Sequence, residues 1–148
     1  MDAIDRKILN IIQKDFRVVA EPFRAVAERL GLDEDEVIER IKDLKAKGII
    51  RRIGAVFNSK KMGYASTLCA AKVPKRKLKK FVEVVNSYPG VTHNYRRSHD
   101  YNVWFTFIAP DEKTLKKSLG EIRDKTGVAD IISMTAARIF KIDATFEL

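Results

Sequence analysis

The run His93-Asn94-Tyr95-Arg96-Arg97-Ser98-His99-Asp100-Tyr101-Asn102 gathers both histidines of the chain, two adjacent arginines and two tyrosines. The apolar stretch Val103-Trp104-Phe105-Thr106-Phe107-Ile108 follows directly. Imidazole, guanidinium and phenol are groups that move protons and hold carboxylates. A plain surface turn has no need of them together. Arginine forks grip carboxylates in a bidentate way that lysine does not match, so Arg96 and Arg97 point to an anionic partner. The pair Arg51-Arg52 further upstream sits where a wing would touch phosphates, and could serve DNA, a substrate or only solvent, with substrate slightly favoured. Histidine, with an ordinary pKa of about 6.5, suits proton delivery near neutral pH. The bland reading of the aromatics is that they are strand formers.

The elements that position these groups follow from apolar spacing. Ile4, Ile8, Ile11 and Ile12 predict a helix over roughly 2–14. Phe23, Val26, Ala27 and Leu30 predict a second, with Pro22 at its first position and Gly31 as its stop. Asp33 can cap a third, whose apolar face is Val37, Ile38, Ile41 and Leu44. Two helices joined by a short Gly-containing turn have the spacing of a helix-turn-helix. Residues 49–53 read as a short strand, or wing.

The remainder alternates strand and helix. Strands are expected over 66–73, 91–97, 101–108 and 131–142, with helices opened by Pro74 and Asp111. The order βαββαβ is that of a ferredoxin-like unit. The expected fold is therefore α+β. A winged helix-turn-helix domain spans 1–53, a linker or arm 54–64, and a βαββαβ domain 65–148. Ser98-His99-Asp100 becomes a tight connection between the two middle strands. If 91–97 is extended, His93, Tyr95 and Arg97 share one face, and Asn94 and Arg96 the other.

Bulk properties narrow the partners. The net charge is +9 and the pI about 9.7, so nucleic acid, anionic lipid or a polyanionic small molecule could be drawn in. Residues 1–64 hold 14 Lys/Arg against 11 Asp/Glu, and residues 65–148 hold 15 against 9. The basic excess thus lies mainly outside the helix-turn-helix. The proposed recognition helix opens Asp33-Glu34-Asp35-Glu36, and carboxylates there repel the phosphates that supply most DNA-binding energy. Acids at a helix start also have a plain role, stabilising it through its dipole. Specific DNA binding is not expected. Cys69 is the only cysteine, which excludes an internal disulfide and a cysteine-built zinc site and fits a reducing cytoplasm. No apolar run reaches the ~18–20 residues that span a membrane. The acidic start Met1-Asp2-Ala3-Ile4-Asp5 is not that of a signal peptide.

Asp5-Arg6-Lys7-Ile8-Leu9, Val26-Ala27-Glu28-Arg29-Leu30-Gly31-Leu32 and Gly48-Ile49-Ile50, set in this element order, resemble the Lrp/AsnC family of regulators. Within it, two motifs are similar to the siroheme decarboxylases. One is Arg51-Arg52-Ile53-Gly54-Ala55-Val56-Phe57-Asn58 with Met62-Gly63-Tyr64 and Ser66-Thr67-Leu68. The other is the run from His93 through Thr106. Regulators of the family tend to carry a small Gly-containing turn where Ser98-His99-Asp100 stands. The resemblance implies a carbon–carbon lyase that removes carbon dioxide from two acetate side chains of siroheme to give didecarboxysiroheme, in haem or haem d-one biosynthesis. It implies no cofactor beyond the iron tetrapyrrole substrate, a ligand-binding and dimerisation role for the βαββαβ domain 65–148, and a homodimer or a heterodimer with a paralogous Lrp-like subunit. His93, His99, Arg97 and Tyr95 become the catalytic candidates, with His93 also a candidate axial ligand to the substrate iron. Arg51, Arg52, Arg96, Tyr101, Asn102 and Trp104 become candidate substrate contacts. The alternative is a DNA-binding regulator of the Lrp/AsnC type, including one that senses a tetrapyrrole.

Overall fold

The computed structural model describes residues 1–143 and 145–148, and resolves into two compact units. The first comprises Met1–Val56 together with Lys141–Leu148. Its helices are α1 (Ala3–Lys14), α2 (Pro22–Leu30) and α3 (Glu34–Ala46). Asp2 opens α1 with a reciprocal cap. The Asp5 backbone N–H donates to Asp2 Oδ1 (2.8 Å), and the Asp2 N–H donates to Asp5 Oδ2 (2.9 Å). The apolar stripes meet in a core of Ile8, Leu9, Val26, Ala27, Val37, Ile41, Leu44 and Ile50. Arg40 on α3 donates to Asp2 (2.8 Å), Asp5 (3.0 Å) and Glu36 (2.9 Å), which ties the start of α1 to α3.

The helix-turn-helix is thus present, but its wing strand is not. Ile49 and Ile50 donate their backbone N–H groups back to the Leu44 carbonyl, and Ile50 is buried. From Arg51 to Asn58 the chain runs without strand pairing. Capping the end of α3 uses the groups that a wing ladder would need. The C-terminal segment also departs from expectation. Gln13 Nε2 donates to the Phe146 carbonyl (2.6 Å) and Asn10 Nδ2 to that of Leu148 (3.4 Å). These bonds place Lys141–Leu148 with the helices, rather than with the βαββαβ unit as the expected boundary at 65 implied.

The second unit is Phe57–Phe140. Its strands are β1 (Ala65–Ala71), β2 (Val91–Arg96), β3 (Val103–Ala109) and β4 (Ile131–Met134), and its helices α4 (Leu78–Asn86) and α5 (Glu112–Thr126). The antiparallel sheet has the order β2-β3-β1-β4. β4 stops at Met134, well short of the expected Ile142, because the chain beyond it makes no further pairs with β1.

Period-two patterning decides the faces. On β3, Val103, Phe105, Phe107 and Ala109 are buried and alternate with half-buried Trp104, Thr106 and Ile108. The buried set packs with Cys69 and Ala71 of β1 against Phe81 and Val85 of α4 and Leu115, Leu119 and Ile122 of α5. Both helices therefore cover one face of the sheet, and the other carries no element of this unit. Gly90, ahead of β2, is required at its position. A Cβ there would overlap the Ile108 carbonyl oxygen and come within 2.7 Å of the Phe107 ring.

Candidate functional site

The uncovered sheet face gathers most of the candidate side chains. On β2, His93 pairs with Thr106 and Tyr95 with Trp104, and those partners face away from the helices. His93, Tyr95, Arg97, Ser98, His99, Trp104, Thr106 and Leu68 line one open concavity of about 620 Å³. That is ample for a sizeable ligand. The side chains of β2 form a ladder. The His93 and Tyr95 rings stack with centroids 6.0 Å apart, and the Arg97 guanidinium carbon sits 5.4 Å from the Tyr95 centroid. Tyr95 thus has both a stacked ring and a cation against it. Leu68, Ile132 and Met134 extend the same face as exposed apolar floor.

The hairpin between β2 and β3 is braced from several directions. The Arg97 backbone N–H donates to the Asn102 carbonyl (2.8 Å). The Tyr101 N–H donates to His99 Nδ1 (3.1 Å), and the two rings stack at 6.3 Å. Tyr101 Oη donates to Asp130 Oδ1 (3.0 Å), an acceptor that holds the phenol proton and raises the Tyr101 pKa. Lys72 Nζ bridges to Asp100 Oδ2 (3.0 Å). This hydrogen bond lowers the Asp100 pKa and raises that of Lys72. Trp104 Nε1 donates to the Tyr101 carbonyl (2.7 Å).

The structure therefore divides the residues singled out in sequence. It brings His93, Tyr95, Arg97, His99 and Trp104 to one cavity. Arg96 lies opposite Val103, whose side chain is in the helix-covered core, so Arg96 leaves the other face of the sheet. Tyr101 is occupied by Asp130. Asn102 spends both ends of its amide on Val73, accepting from the backbone N–H (2.9 Å) and donating to the carbonyl (2.9 Å). Arg51 and Arg52 belong to the first unit and line its own cavity of about 730 Å³, walled by Leu9, Ile12 and Phe16. Leu68 and Thr106 lie within the two motifs, but the sequence did not single out either as a site residue. Strand alternation from Trp104 would have placed Thr106 beside His93. Among the described residues no group of three or more His, Cys, Asp or Glu could hold a metal ion. A lone imidazole can ligate only a metal that arrives with its other ligands.

Comparison with known proteins fixes the lineage. Residues 5–51 match a family model described as the siroheme decarboxylase NirDL-like HTH domain, and residues 61–141 match the AsnC-like ligand binding domain. The siroheme decarboxylase alpha subunit of Desulfovibrio desulfuricans is 50% identical over all 148 residues, which cover 85% of that protein. The chain belongs to the siroheme decarboxylase family. Other family members align over the whole chain too. The siroheme decarboxylase NirD subunit of Pseudomonas aeruginosa is 39% identical, with 97% of its length covered. The crystal structure of the siroheme decarboxylase NirDL in co-complex with an iron-uroporphyrin III analogue superposes with a TM-score of 0.72 at 37% identity. It covers 94% of this chain, which spans about half (46%) of that longer one. The Escherichia coli AsnC structure shares the fold, with a TM-score of 0.80 at 16% identity and 97% of its length covered.

Proposed function

We propose that the chain is a subunit of a siroheme decarboxylase, a carbon–carbon lyase that releases carbon dioxide from two acetate side chains of siroheme. The observation that carries this reading is the ladder His93–Tyr95–Arg97 beside His99 on an open sheet face, in a chain of this family. Siroheme is a flat macrocycle fringed with eight carboxylates. Tyr95, Trp104 and Leu68 offer an aromatic and apolar wall for its plane. Arg97 offers a guanidinium for a carboxylate at its rim.

The reaction needs little else. An acetate held as its anion loses carbon dioxide, and the electron pair of the broken carbon–carbon bond passes into the macrocycle. Protonation of the methylene carbon then leaves a methyl group. Arg97 favours the ionised acetate. His99, on the hairpin, delivers the proton, and His93 faces the substrate iron as an axial ligand. No cofactor beyond the iron tetrapyrrole itself is invoked. The protein acts in the cytoplasm and pairs with a second Lrp-like subunit, and the likeness to alpha subunits favours a paralogous partner over an identical one.

The test is anaerobic incubation of siroheme with the purified chain, alone and with its paralogous subunit, read by mass spectrometry. Loss of two carboxyl groups is expected. Unchanged siroheme in both mixtures refutes the reading, and siroheme bound without mass loss points to a sensor instead.

A further inference from the structure

The register of β2 against β3 shifts at one point. Val91 pairs with Phe107 and His93 with Thr106, so Thr92 has no partner of its own. Such a bulge sets two residues against one and re-aims their side chains. Here it turns the Thr92 hydroxyl to 2.7 Å from Thr106 Oγ1. Both hydroxyls also reach His93 Nδ1, at 3.1 Å from Thr92 and 3.2 Å from Thr106. Three polar atoms thus form a closed triangle.

Either tautomer can close the triangle when one proton is shared between two acceptors. With Nδ1 bare, both hydroxyl protons are used within it. With Nδ1 protonated, its N–H is shared between the two oxygens, one hydroxyl bridges the pair, and the other hydroxyl proton stays free for solvent. The second arrangement is the one that suits a site built to receive a metal ion. It leaves Nε2 as a bare lone pair with no protein partner among the described residues. His99 is held the opposite way. Its Nδ1 faces the Tyr101 backbone N–H, which can only donate, so neutral His99 carries its proton on Nε2.

We propose that Thr92 and Thr106 are positioning residues for His93, and that the two histidines are held in opposite tautomers, His93 with its proton on Nδ1 and His99 with its proton on Nε2. A metal ligand needs a lone pair, and its other nitrogen is ordinarily fixed by a hydrogen bond to an acceptor. A proton donor needs an N–H. This pair of tautomers suits iron ligation by His93 and protonation by His99, and this assignment of tasks rests on the function proposed above.

Long-range nitrogen–carbon NMR correlations of the ligand-free full chain, at mildly alkaline pH, read both tautomers. His93 is expected in the Nδ1–H form and His99 in the Nε2–H form. The double variant Thr92→Val/Thr106→Val should move His93 towards the other tautomer and leave His99 unchanged, and Thr→Ser at both positions should restore the wild-type pattern. An Nε2–H His93 in the wild type, or one unmoved in the valine variant, overturns the proposal. The second measurement titrates ferric iron uroporphyrin III into the same proteins. The valine variant should bind about 10-fold more weakly, with an altered visible spectrum that the serine variant restores. Equal affinity and spectrum overturn the role towards iron. Failure of the wild type to bind, with the NMR pattern as expected, sinks the tetrapyrrole reading and leaves the positioning of His93 standing.

Discussion

Asn102 offers the sharpest test of how the hairpin is built. From its place in the motif it is a candidate substrate contact. In the structure its amide oxygen and nitrogen are both engaged 2.9 Å from the backbone of Val73. Val73 is itself buried, so water cannot readily replace a lost partner. Asn102→Ala removes two hydrogen bonds, each worth about 0.5–1.5 kcal/mol net, and strands a backbone donor and acceptor. A total of about 2 kcal/mol follows. For a unit of this size that lowers Tm by roughly 8–16 °C. Asn102→Asp should also destabilise, because it keeps the acceptor for the Val73 N–H but sets a carboxylate oxygen against the Val73 carbonyl. Thermal unfolding by circular dichroism measures the loss. Tetrapyrrole titration well below the new midpoint measures affinity of the folded fraction, which should change less than threefold. A variant that melts with wild type but loses the ligand would refute the clamp and return Asn102 to the binding surface.

Three further outcomes follow from the packing. Gly90→Ala should fail to give a folded second unit, or destabilise it by more than about 3 kcal/mol, since the new methyl meets the Ile108 backbone; a near-wild-type melt would contradict the close approach. Cys69 is fully buried, and burial pushes its thiol up to about 11, so a thiol reagent at neutral pH should label it only as fast as the chain opens; rapid labelling of native protein would count against this. Asp2 and Asp5 are held below their ordinary carboxyl pKa by each other's backbone N–H groups and by Arg40, so their contribution is present above about pH 4 and is lost as the pH falls through the carboxylate range. Denaturant midpoints should decline on acidification, and less steeply in Asp5→Asn; parallel slopes would contradict it.

Local pattern made much of this legible. The stripes of α1, α2 and α3 and the alternation along β2 and β3 are properties of neighbouring residues, so the helix-turn-helix and the separation of Arg96 from Arg97 could be read directly. What was not legible depends on residues far apart in the chain. Tyr101 and Asn102 look like ligand contacts until their partners Asp130 and Val73, each 29 positions away, are in place. The bulge at Thr92 leaves no local signature, because an extra residue shows only against the partner strand. Residues 49–53 and 135–142 contain strand-favouring side chains, but a strand is made by its neighbour, and neither segment finds one.

The acidic start of α3 acquires local explanations as well. Asp33 accepts from the Asp35 backbone N–H (2.9 Å) as a helix cap, Glu36 pairs with Arg40, and Glu39 pairs with Lys42 (2.7 Å). Helix and domain stability thus account for three of the five carboxylates. The electrostatic case against DNA reading rests on Glu34 and Asp35, which have no cationic partner among the described residues. Charge on the sheet face likewise fits the proposed second subunit. One guanidinium and two imidazoles line the concavity, against eight carboxylates on the proposed substrate. Unpaired carboxylates in a closed site are costly, so most of the rim must stay in water or meet cations from outside this unit. The cavity is open, and its apolar floor of Leu68, Ile132 and Met134 continues beyond it. A partner laid over that floor would close the site over the macrocycle and could bring the missing positive charge.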